Sequence, residues 1–228
     1  MISSMTIKAI VKNVLNLLYP RHCECCKKAM AADSPAPLCL SCQGRIKKNA
    51  DIRHGSKNAK HHFTLARSAC VYEGPLKELV HSFKYKGKIA LAEPLSSYMI
   101  ELAANDKALT DGINAVTFVP IQDNLMAKRD YNHSQVLAGR IAKRLSLPLV
   151  DALKKTRRTK PQNELSREER LVNLIGAFGI KDRRQVMGLG ILLIDDVMTT
   201  GATLGECAKV LLENGAREVR CRTLSRGI

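Results

Sequence analysis

The sequence predicts an α/β protein, with a mostly parallel sheet flanked by helices and a small N-terminal metal-binding ribbon ahead of it. Three observations carry this. From Leu65 onward, short β-rich apolar runs alternate with segments of helical periodicity. The run Ile191-Leu192-Leu193-Ile194 lacks polar alternation, as suits a strand covered on both faces, and passes through Asp195-Asp196 and Thr199-Thr200-Gly201-Ala202-Thr203 into a helical pattern. Near the start stand Cys23-x-x-Cys26 and Cys39-x-x-Cys42, twelve residues apart.

Residues 1–20 repeat Ile7, Ile10, Val11, Val14, Leu17 and Leu18 at helical spacing and stop at Pro20, so an amphipathic helix is expected. Lys8 and Lys12 interrupt any signal-like apolar block, and no uncharged apolar run of about eighteen residues occurs. The expectation is therefore no membrane span and a cytoplasmic chain.

Residues 21–46 form the ribbon. Two Cys-x-x-Cys knuckles can present Cys23, Cys26, Cys39 and Cys42 tetrahedrally to a structural Zn2+, whose binding supplies the folding free energy so small a module lacks. Arg21, Lys27 and Lys28 are expected to favour the thiolates, and Cys25 to remain outside the ligand set. Residues 47–64 read as an exposed basic linker with Lys47, Lys48, Arg53, Lys57 and Lys60, and His54, His61 and His62 read as surface histidines.

The remainder, 65–228, is the main domain. Leu65 to Tyr72 reads as a strand, and Gly74-Pro75 opens a helix through Leu76, Leu79, Val80 and Phe83. Lys84-Tyr85-Lys86 at its end is either a nucleic-acid contact or a plain amphipathic turn. A second helix spans about Ile89 to Ala103, and Ala115 to Ile121 is the next strand. Lys128 and Arg129 follow it in a polar loop, where positive charge suits a pyrophosphate, and Val136, Leu137, Ile141 and Leu145 mark another helix. From Lys154 to Arg170 the chain reads as one long basic loop, a lid or a track for a nucleic-acid backbone, with Arg157, Arg158 and Lys160 as contacts. Cys70, Cys207 and Cys221 read as small buried hydrophobes.

The segment after Ile194 carries the chemistry. A buried strand delivers Asp195 and Asp196 to its carboxyl end, where open α/β sheets bind ligands; such a pair suits vicinal ribose hydroxyls or Mg2+. Thr199 to Thr203 offer backbone N–H groups at a helix N-terminus, a favourable seat for a phosphate. Thr203 and Glu206 match a capping box, and Gly215 ends the helix before a strand from Arg217 to Leu224. No Gly-Lys-Ser/Thr follows the glycine, which excludes a P-loop. The net charge of +16 points to anionic partners without choosing among polyphosphate, nucleic acid and acidic lipid.

This segment resembles the type I phosphoribosyltransferases, which implies a Rossmann-like domain. It also implies that Asp195 and Asp196 are the catalytic pair and hold the ribose of 5-phosphoribosyl-1-pyrophosphate, with Mg2+ at the leaving group and Thr199, Thr200, Gly201, Ala202 and Thr203 around the 5′-phosphate. With the cysteine pairs, Tyr72-Glu73-Gly74, Phe83-Lys84-Tyr85-Lys86-Gly87, Val119-Pro120, Arg129-x-Tyr131-Asn132, Thr159-x-x-Gln162, Arg170-x-x-Asn173 and Phe178, the chain resembles the ComF family of competence-associated proteins. Where that family usually shows Arg-Gly-Phe-Asn-Gln, this chain has Arg129-Asp130-Tyr131-Asn132-His133. The resemblance implies a role with transforming DNA. Partners would be the sugar phosphate, single-stranded DNA and other competence or recombination proteins. Two classes stay open: a nucleic-acid-binding accessory protein, and an active phosphoribosyltransferase with an unknown acceptor. A glutamine-dependent amidophosphoribosyltransferase is not expected, since that enzyme needs an amino-terminal cysteine nucleophile and the sequence opens Met1-Ile2-Ser3.

Overall fold

A computed structural model describes residues 20–31, 34, 36–49, 62–103, 106–122, 131–159 and 166–227. Four parallel strands form the central sheet: β1 (Leu65–Val71), β2 (Ala115–Phe118), β5 (Gly190–Met198) and β6 (Glu218–Arg226), in the order β1-β6-β5-β2. A separate antiparallel hairpin pairs β3 (Leu153–Lys155) with β4 (Phe178–Ile180). The helices are α1 (Leu40–Gly44), α2 (Gly74–Tyr85), α3 (Ala92–Ala103), α4 (Lys107–Thr110), α5 (His133–Leu145), α6 (Arg167–Leu174) and α7 (Ala202–Glu213).

The unbroken apolar run of β5 is explained by cover on both faces. Leu192 and Ile194 pack in one cluster with Leu79 and Phe83 of α2, Leu95 and Met99 of α3, and Leu137 and Ile141 of α5. Ile191 and Leu193 pack in a second cluster with Leu204, Cys207 and Leu211 of α7, Leu174 of α6, and Leu153 and Phe178 of the hairpin. Cys70, Cys207 and Cys221 are fully buried, as their reading as small hydrophobes requires. The ribbon is joined to the first cluster through Cys23, Leu38, Cys42 and Ile46. Among the described residues no helix is long and apolar enough to cross a membrane.

Several expectations are corrected. Residues 47–49 are no free linker: Asn49 N–H donates to Ala69 O (2.8 Å) and Val71 N–H to Lys47 O (3.0 Å), which covers the open edge of β1. The expected loop from Lys154 to Arg170 contains the end of β3 and the start of α6, because Lys155 pairs with Phe178 and Ser166 caps the helix with Glu169 in a reciprocal box. The box expected at Thr203 and Glu206 does not form. Helix α7 starts at Ala202 with Gly201 as its N-cap, and Glu206 Oε2 accepts instead from Gly176 N–H at 3.3 Å. The amphipathic helix over 1–19, most of the basic linker with His54 and His61, and Lys128, Arg129 and Lys160 lie outside the described residues.

Candidate functional site

The carboxyl ends of the parallel strands converge where β5 meets α7, and this end of β5 holds both carboxylates. Side chains alternate along a strand, so Asp195 and Asp196 leave opposite faces. Asp195 Oδ1 accepts from Ser134 Oγ (2.9 Å) and from Asp196 N–H (2.9 Å). Burial, and then the charge of Asp196, push the Asp195 carboxyl up to about 7, against the pull of Lys84 and those two donors. Asp196, only 9% exposed, is paired with Lys84, whose Nζ lies 2.8 Å from its Oδ2. Burial works to lower the Lys84 ammonium, but the charge of Asp196, the bond to it and the charge of Asp195 outweigh this and hold it above the ordinary lysine range.

The loop between β5 and α7 turns on Gly201, whose φ of 81° lies in the left-handed region. Within the described residues the backbone N–H groups of Thr199, Thr200 and Gly201 have no partner, whereas Ala202 N–H donates to Thr200 Oγ1 at 3.3 Å. A helix N-terminus with three unengaged amides, a few residues from two carboxylates, can hold a phosphate while the carboxylates accept from sugar hydroxyls.

The first turn of α5 sets both carboxylates. Asn132 caps it, accepting from Ser134 and Gln135 N–H, while its Nδ2 donates to Val119 O (3.1 Å) at the end of β2. Ser134 is thereby aimed at Asp195. On either side of Asn132, Tyr131 Oη donates to Phe83 O (2.7 Å) and His133 Nε2 contacts the same oxygen at 3.1 Å, with all three rings in mutual contact. That carbonyl belongs to the last turn of α2, where helical carbonyls lack an intrahelical donor, so the clamp fixes the helix end that carries Lys84.

Other nucleic-acid candidates separate. Lys84 is taken into the acidic site as the ion-pair partner of Asp196. Arg157 is engaged as a cap: its Nη2 donates to Asn173 O (3.0 Å) and Ile175 O (2.8 Å) at the end of α6. Tyr85, 60% exposed and packed on His81, Lys86 and Arg158 lie at the surface.

In the ribbon, the Sγ atoms of Cys23, Cys26, Cys39 and Cys42 lie within 4.8 Å of one another. Cys26 and Cys39 Sγ are 3.7 Å apart, matching the edge of about 3.8 Å that a tetrahedron with ~2.3 Å Zn–S bonds requires. The donor set therefore fits zinc. Burial pushes the Cys23 thiol up, but the amides of Cys26, Cys39 and Cys25 outweigh this and bring it down to about 6. Burial and the neighbouring Cys42 raise Cys25, as befits a thiol outside the set. The cation serving the cluster is Arg45, whose Nη2 donates to Cys42 Sγ at 3.2 Å. Arg21 and Lys27, expected in that role, donate instead to the carbonyls of Ser34 and Glu24.

The family model described as a phosphoribosyl transferase domain matches residues 131–227. The DNA utilization protein YhgH of Escherichia coli is 32% identical over 67% of this chain and 70% of its own. The chain belongs to the ComF family. Competence protein F of Haemophilus influenzae, another member, is 29% identical over 68% of this chain and 69% of its own. A hypoxanthine phosphoribosyltransferase structure from Staphylococcus aureus is 16% identical, covering 58% of this ComF-family chain and 62% of that one, with a TM-score of 0.37.

Proposed function

We propose that this ComF-family chain binds phosphoribosyl pyrophosphate, or a related sugar phosphate, at the β5–α7 junction and acts in the uptake or processing of transforming DNA in the cytoplasm. The observation that carries this reading is the set of amides at Thr199, Thr200 and Gly201, unengaged among the described residues, beside Asp195 and Asp196. Amides and helix dipole favour the 5′-phosphate, and the carboxylates accept from the ribose hydroxyls. Thr203, in the first turn of α7, and the basic Lys128 and Arg129 complete the ligand set. Mg2+, when bound with the ligand, would neutralise the pyrophosphate near the acidic pair. Zinc, when bound by Cys23, Cys26, Cys39 and Cys42, would keep the ribbon folded against α2 and α3.

For DNA, the exposed Tyr85 offers a stacking face beside Lys86, and Arg158 adds positive charge near the hairpin. Single-stranded DNA is the expected strand form, and other competence or recombination proteins the expected partners. Catalysed transfer of the phosphoribosyl group is the second reading. It is favoured by Asp195, whose proton is held until about neutral pH at the edge of the cleft.

Titration calorimetry with phosphoribosyl pyrophosphate and magnesium tests the primary reading. Wild type is expected to bind and the Asp195→Asn/Asp196→Asn protein to lose at least tenfold in affinity; equal affinity removes the pocket assignment. Pyrophosphate release that depends on an added acceptor decides for the enzyme.

A further inference from the structure

The Lys84–Asp196 pair is not explained by the sugar-phosphate site as described so far. Lys84 comes from α2, far along the chain from β5, yet its ammonium lies 2.8 Å from the carboxylate that should face the sugar. Both side chains are largely withdrawn from water, at 19% and 13% exposure. Holding such a pair costs desolvation, which its attraction repays only where the geometry is well fixed. The geometry is fixed here: Tyr131 Oη and His133 Nε2 both engage Phe83 O, one residue before Lys84, and Phe83 itself is fully buried.

We propose that Lys84 is a built-in cation of the ligand site, standing at Asp196 where a divalent metal would otherwise balance the charge and bridging that carboxylate to an anionic oxygen of the bound sugar phosphate. This rests on the sugar-phosphate reading of the cleft. An ammonium has three donors, so Lys84 keeps Asp196 with one and offers the others to ligand oxygens. Asp196 is then no isolated buried anion that repels a phosphate ester. Tyr131 and His133 are positioning residues: they touch no ligand and act by holding the end of α2. The consequence is that a sugar monophosphate binds here without a divalent cation.

The test is calorimetric titration of the full zinc-loaded chain with ribose 5-phosphate and with phosphoribosyl pyrophosphate, each in EDTA at a level that spares the zinc and each in magnesium. Wild type is expected to bind ribose 5-phosphate equally well, within about twofold, in both buffers. Lys84→Gln, shown folded by its thermal transition, is expected to lose at least tenfold in EDTA and to recover part of that loss in magnesium, whereas Lys84→Arg keeps most of the affinity. Tyr131→Phe is expected to weaken binding a few-fold without creating a magnesium requirement. Wild-type binding that appears only with magnesium overturns the inference, and so does a folded Lys84→Gln protein that binds as wild type in EDTA; in both cases the cleft reading survives. If wild type binds neither ligand in either buffer, the cleft reading itself fails. The metal dependence of the wild-type protein decides the matter even where Lys84→Gln does not fold.

Discussion

A double-mutant cycle on Lys84 and Asp196 measures how far the acidic site is withdrawn from water. With 19% and 13% side-chain exposure the pair belongs to the buried class, in which removing one partner leaves an uncompensated charge and costs roughly 3–5 kcal/mol. Lys84→Met strands the carboxylate, and Asp196→Asn strands the ammonium. Each is expected to cost about 3 kcal/mol, while the double variant costs less than either single one, because neither charge is left stranded. The coupling energy is then at least about 3 kcal/mol. Lys48–Glu101 is the internal control: its Nζ–Oε1 distance of 2.6 Å is just as short, but the side chains are 52% and 58% exposed, and such pairs couple by under about 1 kcal/mol. Urea unfolding of the zinc-saturated protein, followed by far-ultraviolet circular dichroism, gives the four free energies provided the slopes agree. A coupling for Lys84–Asp196 no larger than that for Lys48–Glu101 would refute the claim that this end of the sheet is a low-dielectric site.

Three further outcomes are expected. Zinc analysis should return one ion per chain, and a strong chelator or Cys39→Ser should lower the thermal midpoint of the whole protein, since Cys23, Leu38, Cys42 and Ile46 share a core with α2 and α3; an unchanged midpoint after metal loss contradicts that shared core. Asp195→Asn should stabilise the unliganded protein by about 1–3 kcal/mol at pH 8 and by little at pH 4. The folded state holds that proton up to about 7 while the unfolded chain releases it near the usual carboxylate value, so this group favours folding below the unfolded value and the benefit is lost as pH rises through 7; parallel pH–stability curves for the two proteins contradict it. Gly201→Ala forces a β-carbon into a φ of 81°, so a loss of about 1–2 kcal/mol in stability and a larger loss of sugar-phosphate affinity are expected; a neutral effect on both shows that the loop does not need its left-handed turn.

What the sequence made legible was local. The β5 segment carries strand, acidic pair and glycine turn within one stretch, and each cysteine knuckle is a short chelate, so neither needs tertiary information. The place of Lys84 is not legible in the local sequence, because a lysine between a phenylalanine and a tyrosine is weighted toward solvent. Helical phase held the missing signal: Leu76, Val80 and Lys84 are successive i, i+4 positions of one stripe, so Lys84 extends the buried side of α2. The capping-box error is different in kind. Thr203-x-x-Glu206 and Ser166-x-x-Glu169 both fit the pattern, but only the second forms, because Gly201 at positive φ already begins α7 and the carboxylate of Glu206 is drawn to Gly176. Short β3 and β4 escaped because their pairing is with each other across α6, and a strand ending in Lys154-Lys155 shows no apolar run.

Tyr131 and His133, on either side of Asn132, acquire a meaning from the clamp. The tyrosine hydroxyl is the donor to Phe83 O at 2.7 Å, a bond phenylalanine cannot make, and the imidazole meets the same oxygen at 3.1 Å while packing edge-on against Phe83. Two side chains thus converge on one carbonyl, and the asparagine between them fixes their turn to the end of β2. A hydrogen bond of this kind contributes about 0.5–1.5 kcal/mol, too little to explain the fold but enough to select one orientation of a helix end. The element so oriented delivers Lys84 to Asp196, while the next residue of the same turn, Ser134, reaches Asp195. Tyr131 and His133 therefore belong to the acidic site through the helix end they hold.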